Sequence, residues 1–326
     1  ANPPGERYDP FLSWEFLEAM ESSGAATPTT GWVPRHLLIR GDNGRLRAAM
    51  PLYAKMHSRG EFVFDQSWAD AYERAGGAYY PKLLTAVPFT PVTGRRRLVP
   101  KGPDEAQLKA ALLTGAIQLA EENRLSSLHI NFVDSDDAET LANTGLLSRT
   151  DQQFRWVNDG YASFDDFLAA LSSAKRKNLR KERAKAQDGL EFVHLTGDAI
   201  TEDHLDAFYH FYIDTGSRKW GSPYLTRLSF SLLRERMADD LLFIFAMEDG
   251  EPIAGAMNLI GSDTLYGRYW GCSDHRPMLH FETCYYQAID FAIERGLQYV
   301  EAGAQDRPSG AARRRCRLSH PRTRRG

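Results

Sequence analysis

The chain has 326 residues, 42% of them apolar and 25% charged, with a net charge of −3. That balance is ordinary for a globular protein and excludes a disordered, collagen-like or coiled-coil chain. No run of about 18 apolar residues occurs, and the polar start Ala1-Asn-Pro-Pro-Gly-Glu-Arg7 has no apolar core, so neither a membrane-spanning helix nor a secretory leader is expected.

The first residue is not Met, so the start reads as trimmed. Cys272, Cys284 and Cys316 are odd in number and form no C-x-x-C pair. Neither a disulfide framework nor a metal site is expected, and a reducing cytoplasm is the expected setting. Charge is uneven. Eight arginines against one aspartate make residues 306–326 net +7, which leaves −10 for the other 305. An acidic body argues against general nucleic-acid affinity.

In chain order, Phe11–Gly24 predicts an amphipathic helix with Ser13 as its cap and Gly24 as its stop. His36–Tyr53 predicts a hairpin turning at Asp42-Asn-Gly, and Glu61–Phe64 a further strand. Leu108–Asn123 predicts a helix, and Ser127–Val133 a buried strand with His129 and Asn131 on one face. The second half repeats the order. Phe164–Gln187 and a segment from His204 are predicted helical, Leu241–Ile260 a hairpin turning at Asp249-Gly250, Thr264–Trp270 a strand, His280–Arg295 a helix and Leu297–Glu301 a strand. The class is therefore α/β (α+β) with mixed sheets. The polar stretch Ser148–Gln153 suggests domains at 1–155 and 156–305, followed by a basic tail at 306–326.

Hairpin, strand, helix, strand is the core order of GNAT acyltransferases. Their pyrophosphate loop is glycine-rich, so that backbone N–H groups can approach phosphate. The matching stretch here, Cys272–Glu282, has no glycine, which argues against ordinary coenzyme A binding there.

The most unusual segment is Ser172–Lys185, where seven basic residues fall within eleven positions. At helical spacing Leu168, Leu171, Leu179 and Ala186 form an apolar stripe, with Arg176, Arg180 and Arg183 on one flank. An arginine face suits bidentate contact with phosphate or carboxylate, as in tRNA, a phospholipid surface or a diphosphate-linked precursor. Tyr79–Gly94 has three prolines and is predicted rigid and extended, offering Tyr80, Lys82 and Phe89 to a cleft. Asp214–Tyr224 is predicted as a loop carrying Arg218, Lys219, Trp220 and Tyr224. On the helix from His280, residues His280, Cys284 and Gln287 share one face, while Glu282 and Tyr286 lie on the other.

Trp68-Ala-Asp-Ala-Tyr, Tyr79-Tyr-Pro-Lys, Pro88-Phe-Thr-Pro-Val-Thr-Gly, Lys175-Arg-Lys-Asn-Leu-Arg-Lys-Glu-Arg, Arg218-Lys-Trp-Gly-Ser-Pro-Tyr-Leu and His280-Phe-Glu-Thr-Cys-Tyr-Tyr-Gln-Ala-Ile resemble one bacterial group over about residues 10–305. It is the GNAT-like, FemAB-like group of N-acyltransferases associated with peptidoglycan biosynthesis or recognition. The resemblance implies two tandem GNAT-like domains and transfer of an acyl or aminoacyl group to an amine such as that of a cell-wall precursor. The donor it implies is acyl-CoA or aminoacyl-tRNA. Gly303-Ala-Gln305 matches the group's last motif, and the residues from Asp306 onward depart from it; the tail reads as the product of a frameshift in a GC-rich gene. Arg155 stands where the group tends to have His.

That reaction needs a base for the amine, a proton donor for the leaving group and donors for the oxyanion. The expected bases are Glu282 and Glu301, and the expected acid is Tyr286. Arg268, His280 and Gln305 complete the expected substrate contacts. Two other classes remain open at this point. One is a non-catalytic module that binds an anionic cell-wall precursor or membrane surface. The other is a tRNA-dependent aminoacyltransferase, which needs no coenzyme A loop.

Overall fold

A computed structural model describes residues 7–219 and 223–301. It divides into two units, the first holding residues up to Thr150 together with Tyr224–Leu232, the second Asp151–Pro223 and the chain from Leu233.

In the first unit, helix α1 (Trp14–Ser22) starts where Ser13 Oγ accepts the Phe16 N–H at 3.1 Å. Strand β1 (Trp32–Pro34) leads to the hairpin β2 (Leu37–Arg40) and β3 (Leu46–Met50). Gly44, with φ +73°, supplies the left-handed residue of its turn. Strand β4 (Tyr53–Lys55), helix α2 (Gln66–Arg74), strand β5 (Lys82–Thr85), helix α3 (Glu105–Glu122), strand β6 (Leu128–Ile130) and helix α4 (Ser135–Ala142) complete it. The main sheet has the order β1-β4-β5-β6, antiparallel except for the parallel pair β5/β6. Leu108, Leu112, Ala116 and Ala120 make one stripe of α3, which packs on Leu83, Leu128 and Ile130 of that sheet.

In the second unit, β7 (Arg155–Val157) precedes helices α5 (Phe164–Ala169) and α6 (Ser173–Ala186), strand β8 (Glu191–Leu195) and helix α7 (Glu202–Lys219). Helix α8 (Arg227–Met237) follows in the chain, its residues to Leu232 counted with the first unit and those from Leu233 with the second. Then come the hairpin β9 (Leu241–Glu248) and β10 (Glu251–Ile260), and strand β11 (Thr264–Cys272). Helices α9 (Leu279–Phe281) and α10 (Gln287–Glu294) are joined by a π-helical turn at Glu282–Tyr286, before β12 (Tyr299–Glu301). The six-stranded order is β7-β12-β11-β10-β9-β8, with β11/β12 the parallel pair. Strand β9 is buried on both faces, which is why its sequence reads as an unbroken apolar run. Phe243 meets Phe208 of α7 at 5.0 Å, while Leu242 and Ile244 join the core on the α10 side.

Both units are mixed α/β, as the sequence predicts, and each closes with a strand–helix–parallel-strand crossover. Several local expectations need correction. Glu61–Phe64 is not a strand, because Phe62 has φ +56° and Glu61 turns inward to a lysine. The strand expected over 127–133 is shorter, and Phe132 at φ +53° lies just beyond it. The single helix expected over Phe164–Gln187 breaks at Ala170–Ser172, where Ser172 turns extended (ψ 149°) and lets a second helix start. Leu168 and Leu171 both pack on the core. The loop expected at Asp214 is helical as far as Lys219, since α7 runs through Gly216.

Candidate functional site

The first unit gathers its polar side chains on the sheet face opposite α3. Register places Trp32 beside Lys55 and Lys55 beside Lys82, on neighbouring strands. Strand alternation then puts all three on one face. Lys82 has no exposure; its ammonium donates to Asp65 Oδ2 at 2.6 Å and Ser58 Oγ at 2.8 Å and forms an ion pair with Glu61 Oε2 at 2.9 Å. Tyr79 donates its hydroxyl to Asp65 at 2.9 Å, and Tyr80 shares a hydrogen bond with Ser58 at 2.8 Å. Both oxygens of Glu61, and Asp65 Oδ1, are buried and take no hydrogen bond from the protein, an uncommon state for carboxylate oxygens.

Lys55 is equally buried. Its Nζ donates to the Arg59 carbonyl at 3.3 Å and lies 3.6 Å from the Trp32 ring centre. Burial, with Lys82 and Arg59 adding repulsion and Glu61 opposing, takes its pKa down to about 7. Burial raises Glu61 despite Lys82. Asp65 is pushed up by burial too, but the bonds from Lys82, Ser58 and Tyr79 outweigh that, and its pKa falls below the ordinary value. Burial and then Lys82 take His129 down to about 4.

Phe62 and Phe89 both hold left-handed backbone, at φ +56° and +61°, a costly state for a bulky side chain. Phe89 donates its N–H to the Gly60 carbonyl at 3.2 Å and stacks on Tyr224 at 5.5 Å and 16°. The predicted residues Tyr80, Lys82, Phe89 and Tyr224 thus all belong to this unit. Lys82 and Phe89 are sealed rather than presented to a cleft, because the chain from Lys82 to Val92 is buried throughout. Tyr80 and Tyr224 are the partly open members.

In the second unit the π turn decides the arrangement. Its i→i+5 register brings Glu282 and Gln287 together, with Gln287 Nε2 donating to Glu282 Oε1 at 2.8 Å. The sequence places these two on opposite faces, which holds only for a regular α-helix. Glu282 has no exposure and also accepts from Arg183 Nη2 at 2.9 Å and Gln187 Nε2 at 2.8 Å. Arg183 reaches Asp290 at 2.7 Å and sits 4.0 Å from the Phe164 ring centre. Burial works against the Arg183 charge, but Glu282 and Asp290 prevail and raise its pKa. Tyr286 donates its hydroxyl to Glu182 at 3.0 Å, and burial followed by Glu182 raises its pKa.

This network clamps α6 onto the α9–α10 segment. It corrects two expectations. Arg183 is turned inward to two carboxylates, so the three-arginine face is reduced to Arg176 and Arg180. Glu282 is ill placed to take a substrate proton, because it is sealed and its oxygens are held by Arg183, Gln187 and Gln287.

Arg176 donates to the Ala169 carbonyl at 3.2 Å, and Arg180 pairs with Asp165 at 2.9 Å. Arg268 Nη2 on β11 lies 3.9 Å from Glu301 Oε2 at the end of β12, with the Arg268 side chain 3% exposed and that of Glu301 20%. The His280 ring packs against Trp270 and Tyr285, at 5.2 and 5.7 Å. Trp220 and Gln305, and the side chains of Arg218 and Lys219, lie outside the described residues. Among the described residues no cluster of His, Cys, Asp or Glu could hold a metal ion, and no helix is long and apolar enough to cross a membrane.

Sequence reasoning did not name Lys55, Ser58, Glu61 or Asp65 as a group. One signal was available: Tyr53 and Lys55 alternate in a strand-like run, and so do Lys82 and Leu84.

The fold is shared with solved structures at low sequence identity. It resembles the crystal structure of FemX, with a TM-score of 0.54 and 15% identity over 92% of this chain and 85% of that one. It also resembles L-PGS from Bacillus licheniformis, with a TM-score of 0.53 and 11% identity over 92% and 77% of the two chains. At such identities the likeness is one of fold. No curated protein matches the sequence. Residues 2–311 match the FemAB-like family, described as peptidoglycan biosynthesis/recognition, and the chain belongs to that family.

Proposed function

We propose that this chain transfers an acyl or aminoacyl group to an amine of a cell-wall precursor in the cytoplasm of a bacterium. Its membership of the FemAB-like family over nearly the whole sequence carries the reading. The GNAT-like crossover of the second unit supports it.

The donor that fits better is an aminoacyl ester on tRNA. The segment between β11 and α9, Ser273–Met278, has no glycine, so its backbone is not adapted to close approach by a pyrophosphate. Its arginine, Arg276, is already bound to Glu248 and Asp274. Acyl-CoA is the competing donor.

The amine must lose a proton as it attacks the donor carbonyl. Glu301 is the carboxylate this reading assigns to that step. It ends β12 beside the parallel strand, is partly open and faces Arg268. Glu282 and Arg183 position the helix behind it.

The test supplies the full chain with either aminoacyl-tRNA or acyl-CoA, labelled on the acyl group, and a soluble peptidoglycan precursor bearing a free amine. Label should reach the precursor from aminoacyl-tRNA, and Glu301→Gln should lower the rate about 10²-fold. Transfer from neither donor by protein that melts cooperatively would overturn the reading. Precursor bound without transfer would assign the chain to the binding modules.

A further inference from the structure

The docked side of α6 is accounted for by Leu179, Ala186, Glu182 and Arg183. Its outward side is not. There Ser173, Arg176, Lys177, Arg180, Lys181 and Ala184 line one shallow hollow. Lys177, Arg180 and Lys181 are exposed, and among the described residues Lys177 and Lys181 form no ion pair. The bond from Arg180 to Asp165 joins two open side chains, 58% and 77% exposed, and such pairs are readily exchanged.

This face carries local electrostatic costs. Arg176/Arg180 and Lys177/Lys181 are like-charge pairs four residues apart, which repel on a helix. No acidic residue stands in the first turn of α6, where the helix dipole would favour one. A face of this kind is suited to an anionic partner.

We propose that the outward face of α6 docks the protein on an anionic phospholipid surface. The inference is independent of the transfer reaction. Helix α6 contains no aromatic residue, whereas sequence-neutral nucleic-acid surfaces interleave basic and aromatic side chains. Residues 1–305 are net −10, and a long RNA would run across that acidic body. A bilayer acts only on what lies within the Debye length, about 8–10 Å. The face has no apolar side chain larger than that of Ala184, so the contact is electrostatic and reversible rather than inserted.

The experiment is co-sedimentation of the full chain with vesicles of mixed phosphatidylglycerol and phosphatidylcholine, or of phosphatidylcholine alone, without donor or acceptor. The chain should bind the mixed vesicles and release them as salt rises. Lys177→Gln with Lys181→Gln should weaken binding about 30-fold, as expected for two cations at an anionic surface. Both remain solvent-facing positions, and an unchanged thermal transition would verify that the fold is kept. The arginine-rich residues after Gln305 are present in both proteins, so the comparison isolates α6. Equal binding by the double variant, or equal binding to pure phosphatidylcholine, would overturn the proposal. So would a variant that loses tRNA binding but keeps its vesicles. Because no turnover is measured, failure here leaves the transferase reading untouched.

Discussion

Lys82 Nζ lies 2.6 Å from Asp65 Oδ2, with both side chains closed to solvent. An ammonium in that position is tolerable only because its hydrogen-bond acceptors and countercharges are built around it. The pair, with Glu61, Ser58, Tyr79 and Tyr80, holds the loop before α2 against the sheet.

Replacing Lys82 by Met should therefore be severe. It strands two buried carboxylates, and breaking a buried pair in this way costs about 3–5 kcal/mol. Urea unfolding of the variant should show that loss. Adding Glu61→Gln should return part of it, since one of the stranded charges is then gone. A loss below about 1 kcal/mol would show that the cluster is open to water.

Lys55 should leave a mark on the pH dependence of stability. Its folded pKa of about 7 is below that of an unfolded lysine. Between those two values the unfolded chain holds the proton and the folded chain does not, so this group makes stability rise with pH. Its burial penalty is complete below about pH 7 and relieved above it. Lys55→Met should remove that slope, and its advantage over the parent should be greatest at or below neutrality. Denaturation midpoints at a series of pH values would check this, and an unchanged slope would count against a neutral Lys55.

The two candidate carboxylates of the second unit should separate by phenotype. Glu282→Gln should lower the melting temperature, because Arg183 loses a buried countercharge, while the turnover of folded protein changes little. Glu301→Gln should leave the melting temperature near that of the parent and lower turnover about 10²-fold. Reversal of this pattern would return the proton-transfer role to Glu282.

Gly271 on β11 tests the packing of α7. A Cβ there would sit 2.2 Å from the Phe211 carbonyl oxygen, and backbone cannot step aside as a side-chain tip can. Gly271→Ala should cost about 1–3 kcal/mol or more. Wild-type stability in that variant would mean that α7 stands off the sheet.

Much of the architecture was legible because its signals are local. The Asp42-Asn-Gly and Asp249-Gly turns need left-handed residues that only a few side chains tolerate, and both hairpins are present. Ser13 caps α1 within three residues of itself. The α3 stripe repeats every four residues and lies against the sheet. The FemAB-like family was legible from motifs that keep their order along the chain. The shifted register of the π turn was not, since Glu282-Thr-Cys-Tyr-Tyr286 reads as ordinary helix by pattern.

By itself, the sequence determined the α/β class, the two hairpins, the crossover order and the cationic character of α6. Each follows from periodicity or from a turn residue acting over a few positions. The tertiary structure alone decided which charges are buried. Lys82 finds Asp65 across 17 residues, and Arg183 finds Glu282 across 99. Local pattern reads a lysine or an arginine as solvated, because burying it costs free energy unless a countercharge arrives from elsewhere in the chain. That arrival depends on the packing of distant elements, which is why Arg183 became a clamp while Lys177 and Lys181, on the same helix, stayed in water.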